Sequence, residues 1–486
     1  MTNITLHPGD NRASLRRLIA KGVRVHSVVT DPPYGLVSIQ KRFGKEGSAP
    51  ARREKNDGSF ARLSGGFMGR KWDGTGIERD PEFWKLIYDI LLPGGYVFAF
   101  SGSRTGHWQA CAMEMAGFVM HPMHGWCFGS GFPKAHAADK AIDKQLGVEG
   151  HFNAAGNPVK RMIPGANQNR DGSWIKDNGR EYQPGTYVPG SDEAAAWEGW
   201  AYGTQAQKPA LEPIYLGQKP FSEKNGAANL LKHGVGAVNI DGCRVAFAGD
   251  ADERESKEKN QHADFGSGAM TNLVYGKFDK DRENYDPTGR HPSNLILDGS
   301  PDVIEMFPGD GATSAARFFH RFALCDEDYE FAKRAGLIGD DRGEALVYNG
   351  KAGKFDRAHH LLPVDENGKP VGAHPTVKPI ALMQNLIRHI TPPGGIVLDP
   401  FAGSGTTAEA ARREGFDCIL MEAETEYVEF LGRRFPEVND YNQKMLLSDE
   451  LLAENPFAVC SHSKRKGLNS YLSDLIGENV DLSDLM

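Results

Sequence analysis

Asp31, Pro32, Pro33 and Tyr34 form a tetrapeptide whose groups could do chemistry together. They follow a short apolar, β-branched run at residues 25–30, which predicts a buried strand that ends at the prolines. Asp31 offers a carboxylate and Pro32 a backbone carbonyl, and the prolines restrict the backbone that carries these two hydrogen-bond acceptors. Tyr34 offers a flat face on which a planar ring can stack. The tetrapeptide therefore predicts a site for a planar ring that bears an amino group; the alternative is a turn stiffened by proline.

A glycine-rich turn lies far downstream, between a predicted strand at residues 395–399 and a predicted helix at 406–414. Gly403 and Gly405 allow the backbone to approach a ligand at the carboxyl end of the strand. Glu422, which is 17 positions beyond Gly405 (422 − 405), ends the next predicted strand, where a carboxylate can accept hydrogen bonds from a ribose diol. Taken singly, the glycines also fit a plain tight turn, and Glu422 fits a solvated strand end.

Strands and helices alternate around both motifs, which predicts a mostly parallel α/β sheet. The predicted elements are strands at 25–30, 96–100, 395–399 and 418–422 and helices at 81–92, 101–117, 380–390, 406–414 and 427–435. Residues 150–370 are rich in Gly, Asn, Asp and Pro, and a structureless stretch of that length is unusual within one compact domain. An inserted domain or a set of large loops is therefore predicted there.

The composition is that of a globular protein, and 486 residues allow two or three domains. No apolar run approaches the roughly 20 residues that cross a bilayer, and the first ten residues lack the pattern of a signal peptide. The six cysteines form no Cys-x-x-Cys pair, so neither a disulfide framework nor a metal site is predicted. These features favour a reduced, cytoplasmic setting without membrane contact.

In combination, the motifs resemble those of the amino-group DNA methyltransferases. The string Asp-Pro-Phe-x-Gly-x-Gly-Thr-Thr at 399–407, followed by Glu422, resembles the S-adenosylmethionine loop of that family, and Asp-Pro-Pro-Tyr resembles its catalytic motif. The segment His-Pro-Thr-Val-Lys-Pro at 374–379 resembles the stretch that borders the methionine end of the cofactor. The catalytic motif precedes the cofactor loop, with a large insert between them, and this permuted order resembles the β class of the family.

The resemblance implies an α/β, Rossmann-like S-adenosylmethionine-dependent methyltransferase fold, with a mixed, mostly parallel sheet and a large inserted target-recognition region. The implied parts are a catalytic part at 1–150 that includes a loop at 36–80, the insert at 151–370, a cofactor-binding part at 371–440 and a peripheral tail at 441–486. The implied catalytic residues are Asp31, Pro32, Pro33 and Tyr34. The implied cofactor-binding residues are Asp10, His374, Thr376, Lys378, Asp399, Pro400, Phe401, Gly403, Gly405, Thr406 and Glu422. For Asp10, an ordinary helix N-cap is the alternative role.

The implied reaction is methylation of adenine N6 in double-stranded DNA. An amino nitrogen on an aromatic ring is a poor nucleophile because its lone pair is delocalised, and acceptors aimed at its N–H groups localise that pair. A base inside a duplex cannot reach such a site, so base flipping is also implied. A homodimer and a separate restriction endonuclease that makes no required physical contact are compatible with the resemblance.

A basic segment at residues 36–71 begins two positions past Tyr34. It holds nine Lys or Arg and three acidic residues, so 9 − 3 gives +6, although the chain as a whole carries −8. Glycines and serines flank these basic residues, as expected of a loop that orders on phosphates. DNA-backbone contacts are predicted for Lys41, Arg42, Arg52, Arg53 and Lys55; the alternative is a solvated loop without a partner.

Four alternatives remain open at the level of sequence. Asp31 favours adenine, since relatives that act on cytosine N4 more often carry Ser there, but cytosine N4 is the nearest alternative. RNA and protein amide methyltransferases commonly show Asn at that position and lack the permuted order. A non-catalytic DNA-binding relative would not be expected to retain Asp31, Tyr34, Gly403 and Glu422. A fused nuclease would need a carboxylate–Lys cluster, and no convincing one is found in the sequence.

Overall fold

A computed structural model describes residues 2–35, 75–129, 131, 133–154, 159–160, 181–182, 185–261, 287–309, 313–322, 330, 333–334, 356–364, 372, 374 and 376–438. The predicted DNA-binding residues Lys41, Arg42, Arg52, Arg53 and Lys55 lie outside this part of the chain. The predicted tail at 441–486 lies outside it as well.

The chain divides into two compact units. The first comprises Met1–Pro32, Ile77–Gly129 and Leu211–Met486, and the second comprises Pro33–Gly76 and Ser130–Ala210. The predicted boundaries near residues 150 and 370 stay a prediction. No helix among the described residues is both long enough and apolar enough to cross a membrane.

The first unit contains the strands and helices that carry both motifs. Its strands are β1 (Ile4–Pro8), β2 (Val25–Thr30), β3 (Leu91–Phe100), β4 (Val119–Met120), β5 (His124–Cys127), β12 (Leu211–Gln218), β13 (Leu295–Leu297), β14 (His320–Arg321), β15 (Ile396–Asp399) and β16 (Asp417–Glu422). Its α-helices are α1 (Asn11–Ala20), α2 (Pro81–Ile90), α3 (Gly106–Met115), α6 (Gly226–His233), α7 (Asp250–Gln261), α8 (Pro301–Ile304), α9 (Ile380–Ile390), α10 (Thr406–Arg413) and α11 (Thr425–Arg434).

In the described part of the first unit, these ten strands form one sheet. The order is β1-β16-β15-β2-β3-β12-β5-β13-β14, and β4 also pairs with β12. Neighbours run parallel from β1 through β3 and again from β5 through β14, whereas β12 is antiparallel to β3, β4 and β5. The predicted mixed, mostly parallel α/β sheet is therefore confirmed.

Strands from the N-terminal part of the chain pair with strands from its C-terminal part. β1 pairs with β16, and β2 pairs with β15, although the members of each pair are hundreds of residues apart in the chain. The Ser27 and Thr391 hydroxyls lie 2.8 Å apart, and the Ile396 backbone N–H donates to Nδ1 of His26 at 2.9 Å. Because these strands are parallel, their carboxyl ends lie along one edge, which is where open α/β sheets bind ligands.

Helix α2 shows how local sequence builds the core next to this sheet. Asp80 caps the helix by accepting a hydrogen bond from the Glu82 backbone N–H at 3.0 Å, and Pro81 occupies the first turn. The spacing of Phe83, Trp84 and Ile87 directs all three side chains into the hydrophobic core.

The boundary between α2 and β3 differs from the prediction. The helix ends at Ile90 and the strand starts at Leu91, because Leu91 already pairs with Val25 of β2. Pro93, Gly94 and Gly95, which separate the predicted helix from the predicted strand, lie inside β3 at a register shift, after which Tyr96 pairs with Ser27. Glycine and proline inside a strand often mark such irregularities.

Among its described residues, the second unit contains strand pairs and two short helices. Its elements are β6 (Lys134–Ala137), α4 (Ala138–Leu146), β7 (His151–Ala154), β8 (Val159–Lys160), β9 (Glu181–Tyr182), β10 (Gly185–Val188), α5 (Asp192–Ala195) and β11 (Ala201–Gln205). The pairs β7–β10, β6–β11 and β8–β9 are antiparallel. Asp143 joins parts of this unit by accepting hydrogen bonds from the Tyr187 and Ser191 hydroxyls at 2.8 and 2.5 Å.

Candidate active site

The predicted catalytic and cofactor motifs meet at the carboxyl ends of β2 and β15. Thr30, the last residue of β2, donates its hydroxyl to Oδ1 of Asp399 at 2.7 Å. Asp399 is the last residue of β15 and begins the glycine-rich turn. Asp31 follows Thr30 directly, so its backbone starts beside the turn that is predicted to hold the cofactor. The two motifs are more than 360 residues apart in the chain, and the parallel pairing of their strands brings them together.

The tetrapeptide itself is divided between the two units. Asp31 and Pro32 end a segment of the first unit, and Pro33 and Tyr34 begin the second. Pro32 is buried and Asp31 is partly exposed. The roles predicted for Pro33 and Tyr34 stay predictions.

Lys378 contacts the predicted catalytic carboxylate. Its Nζ atom lies 2.5 Å from Oδ2 of Asp31 and 3.5 Å from Oε2 of Glu212. The same Nζ atom lies 4.8 Å from the centre of the Phe100 ring, at the end of β3. Burial alone would lower the pKa of Lys378, but the carboxylates of Asp31 and Glu212 outweigh it and raise that pKa. Lys378 is therefore an ammonium ion that bridges two carboxylates.

Glu212 also contacts Lys378, and none of the sequence motifs predicts this contact. It lies in β12, within the predicted insert, and pairs with Trp126 of β5. The stretch Lys-Pro-Ala-Leu-Glu-Pro-Ile at 208–214 looks like parts of bacterial modification methylases, and that likeness was the available signal. It assigns no role to the glutamate, because the contact depends on the antiparallel placement of β12 next to β3.

Asp399 organises the start of the glycine-rich turn. Its carboxylate is almost fully buried and accepts hydrogen bonds from the Thr30 hydroxyl, the Thr407 hydroxyl at 2.5 Å and the Phe401 backbone N–H at 3.0 Å. Burial raises the pKa of Asp399 to about 6, although these hydrogen bonds act in the opposite direction. The three donors fix the path of the chain from β15 into α10.

Glu422 holds the middle of the same turn. Its Oε2 accepts a hydrogen bond from the Gly403 backbone N–H at 2.8 Å, and its Oε1 accepts one from the Glu424 backbone N–H at 2.9 Å. Burial raises the pKa of Glu422, against the lowering effect of these backbone donors. Because a carboxylate has about four lone-pair positions, these backbone contacts leave capacity for a ribose hydroxyl.

Gly405 requires its glycine for two reasons. Its φ of +77° lies in the left-handed region, which an L side chain adopts only with strain. A Cβ atom there would also lie 2.5 Å from Cδ2 of Leu431 and 2.7 Å from Cε2 of Phe435. The turn is thus packed directly against α11 and its C-terminal end. Thr406 begins α10 with its hydroxyl 3.1 Å from that of Ser404.

His374, the first residue of the segment at 374–379, borders this turn, and the contact of this segment with a cofactor stays a prediction. Nε2 of His374 lies 3.2 Å from the position that a Cβ atom on Gly403 would occupy, and the His374 ring meets the Tyr427 ring edge-on at a centroid distance of 4.7 Å. Nδ1 of His374 lies 2.9 Å from the Thr376 carbonyl. Burial lowers the pKa of His374 to about 4, so the ring is neutral at pH 7.

Asp10 and Pro400 lie near each other, because Asn11, the residue after Asp10, contacts Pro400. Asp10 caps α1 by accepting a hydrogen bond from the Ala13 backbone N–H at 2.8 Å, so its alternative role as an N-cap is present. The neighbouring Asn11 donates its side-chain N–H to the Pro400 carbonyl at 3.1 Å. The Phe401 ring packs at 5.3 Å from the Phe83 ring and so adjoins the core. Cofactor contacts for Asp10, Pro400 and Phe401 stay predictions.

The chemistry of this edge fits S-adenosylmethionine. Three carboxylates, those of Asp31, Asp399 and Glu422, lie on strand ends or directly after them around the glycine-rich turn. Carboxylates accept hydrogen bonds from a ribose diol, whereas they would repel the pyrophosphate of a dinucleotide. Glu422, beside Gly403, is placed to accept from the diol.

Comparison with known proteins agrees with this chemistry. A family model described as DNA methylase matches residues 252–432, which include the glycine-rich turn and Glu422 but not Asp31. The DNA adenine methyltransferase YhdJ of Escherichia coli is 35% identical over 127 residues, which are 26% of this chain and 40% of YhdJ. The type II methyltransferase M2.DpnII of Streptococcus pneumoniae is 42% identical over 74 residues, 15% of this chain and 28% of that protein.

The chain thus spans less than half the length of these curated relatives. Among solved structures, the cytosine-N4-specific PvuII DNA methyltransferase aligns over 92% of this chain and 94% of its own, with 14% identity and a TM-score of 0.35. The match over residues 252–432 and the two curated relatives confirm the predicted resemblance of this chain to the amino-group DNA methyltransferases, a family whose methyl donor is S-adenosylmethionine.

Proposed function

We propose that the protein is a site-specific DNA methyltransferase that transfers a methyl group from S-adenosylmethionine to N6 of adenine in double-stranded DNA. The observation that carries this proposal is the 2.7 Å hydrogen bond from Thr30 to Asp399. It joins the strand that leads to Asp31 to the strand that leads to the cofactor turn. This contact supports the proposal that an acceptor for an amino group and a site for a methyl donor lie at one edge of the sheet.

The chain supplies orientation and hydrogen-bond acceptors for the reaction. When bound, S-adenosylmethionine supplies an electrophilic methyl group on a positively charged sulfur. Asp31 and the Pro32 carbonyl accept hydrogen bonds from the exocyclic amino group, which localises the lone pair on its nitrogen. S-adenosylmethionine would donate its methyl group to this nitrogen and leave as the neutral thioether, and Asp31 would take up the surplus proton and pass it to solvent. Glu422 and the turn around Gly403 orient the ribose.

Adenine is the proposed base, and an extruded base is the proposed substrate form. The aspartate at position 31 and the relative named DNA adenine methyltransferase support adenine. The alternative is N4 of cytosine, whose amino group presents the same chemistry to Asp31. A base that stays in the duplex could not reach a partly exposed carboxylate at a sheet edge, so we propose that the base is flipped and that Tyr34 stacks on it.

Single-molecule sequencing with modified-base detection tests the reaction and the base together. The protein is expressed in a host that lacks its own DNA methyltransferases, and cells carrying the empty vector are the control. We expect N6-methyladenine in a defined sequence motif only in the expressing cells. Detection of N4-methylcytosine instead would mean that the proposed mechanism is kept and that the target base is cytosine. If a folded protein that binds S-adenosylmethionine left the DNA unmodified, the proposed function would be wrong.

We also propose that the basic segment at 36–71 contacts the DNA backbone, on the strength of its net charge of +6 (9 − 3) next to Tyr34 in the chain. Replacing Arg52, Arg53 and Lys55 together with Ala is expected to reduce the slope of log K against log salt by about 3, since each phosphate contact contributes close to one unit. Fluorescence anisotropy on a labelled duplex at several salt concentrations measures this slope. An unchanged slope would mean that these three residues do not contact the DNA backbone.

A further inference from the structure

The contact between Lys378 and Asp31 links the cofactor part of the chain to the catalytic carboxylate. Lys378 lies two positions before α9 and 347 residues from Asp31. Its side chain is 6% exposed and that of Asp31 is 19% exposed, so solvent screens the 2.5 Å contact only weakly. A hydrogen bond from an ammonium group to a carboxylate is among the stronger ones in proteins. It restricts the orientation of the Asp31 carboxylate.

The ammonium group of Lys378 also contacts Glu212 and Phe100. Oε2 of Glu212 lies 3.5 Å from Nζ, and the Phe100 ring lies beneath the same atom. Both residues belong to the central strands β3 and β12, which pair through Ile214 and Phe100. The ammonium group is therefore positioned by paired strands of the sheet. A group positioned in this way can orient the Asp31 carboxylate to which it donates.

We propose that Lys378 is a positioning residue that orients the Asp31 carboxylate towards the amino group of the base, and that Glu212 positions Lys378. This inference rests on the proposed function. Lys378 donates to Oδ2 of Asp31, and a carboxylate, which has about four lone-pair positions, can accept more than one hydrogen bond. Reaction rates are sensitive to displacements of about 1 Å in a positioned group, with losses of about 10²-fold. An unanchored Asp31 would therefore be a poor acceptor even though its charge remained.

This role differs from the one that the sequence motif implies for Lys378. If Lys378 were a cofactor ligand, its loss would weaken cofactor binding. If it orients Asp31, its loss would slow methyl transfer at saturating cofactor and leave cofactor affinity nearly unchanged. Glu212 offers an independent test, since no motif assigns it to the cofactor.

The experiment measures two quantities for each full-length variant: the dissociation constant of S-adenosylmethionine and the single-turnover rate of methyl transfer at saturating cofactor and DNA. The variants are Lys378→Met, Lys378→Arg and Glu212→Gln. Lys85→Met is the matched control, because Lys85 also pairs with an aspartate, Asp89, but on the exposed side of α2. Thermal unfolding shows which variants are folded.

We expect Lys378→Met to slow the single-turnover rate by roughly 10²-fold, with cofactor affinity close to that of the wild type. Lys378→Arg keeps the charge and is expected to recover much of this loss. Glu212→Gln is expected to slow the rate less than Lys378→Met does, and Lys85→Met to leave it unchanged.

A loss confined to cofactor affinity in Lys378→Met would overturn the inference and make Lys378 a cofactor ligand. If Lys378→Met does not fold, Glu212→Gln decides: a rate equal to that of the control would overturn the inference. A wild-type protein that methylates no DNA would overturn the proposed function, and the inference with it, before any variant is compared.

Discussion

Replacing Asp31 with Ala is expected to slow methyl transfer by roughly 10²–10⁴-fold, the range for removal of a group that receives a proton in the transition state. Cofactor binding should persist, because the contacts that shape the cofactor turn are made by Thr30, Asp399 and Glu422. Rapid-quench single turnover with radiolabelled S-adenosylmethionine measures the rate, and calorimetry measures cofactor affinity. A large loss of rate with an intact affinity would identify Asp31 as part of the chemistry.

Two further variants make the result specific. Asp31→Asn keeps one carbonyl acceptor but removes the charge that faces Lys378, so its rate should lie between those of the wild type and Asp31→Ala. Asp89→Ala removes an aspartate that also pairs with a lysine, but on the surface of α2, and should leave the rate unchanged. If Asp31→Ala retained more than about a tenth of the wild-type rate, well short of the expected range, Asp31 would not be the acceptor.

The sequence predicts the two strand ends at this edge of the sheet because each of them depends on local sequence. A β-branched run followed by Asp-Pro-Pro predicts a strand end at Asp31, and a strand, a glycine turn and a helix predict the turn around Gly403. The observed bounds of α9 agree with the predicted 380–390, and those of α10 differ from the predicted 406–414 by one residue. Local periodicity and glycine placement carry this information.

The contacts between distant segments could not be predicted in this way. Glu212 reaches Lys378 because β12 pairs with β3 and β5 in one antiparallel register. The sequence of β12 does not predict a strand, because Pro213 and Gly217 interrupt its apolar residues. Proline and glycine are both unfavourable in a central strand. Likewise, the apolar island at Leu295–Leu297 is too short for its pattern to show that it joins β5. Sheet order, which motifs do not encode, decides these neighbours.

Asp399→Ala is expected to destabilise the fold by about 3 kcal/mol or more, since each buried donor left without a partner costs about 1–3 kcal/mol. The donors affected are the Thr30 and Thr407 hydroxyls and the Phe401 backbone N–H, all of which contact the Asp399 carboxylate. Asp399→Asn is the matched variant, because its amide oxygen still accepts and a threonine hydroxyl can turn to accept from its NH₂ group. It should be much less destabilised. Urea midpoints at constant pH compare the two.

The pH dependence of this difference tests the environment of Asp399. The folded-state pKa of Asp399 is raised from 3.8 to about 6, so the stability that its protonated form contributes is full below pH 3.8 and is lost as pH rises through about 6. Asp399→Asn does not titrate, so its stability relative to the wild type should increase between pH 4 and pH 7, by about 3 kcal/mol for a shift of about two units.

Histidines whose pKa is lowered by burial titrate in an overlapping range, but both proteins share them. Burial lowers the pKa of His7, His124, His374 and His389 to about 4, so their contribution to stability is lost as pH falls from 6.5 to about 4. This loss affects the wild type and Asp399→Asn alike and cancels in the comparison. A stability difference that does not change between pH 4 and pH 7 would therefore mean that Asp399 is not buried as an ionisable acid at the joint between β2 and β15.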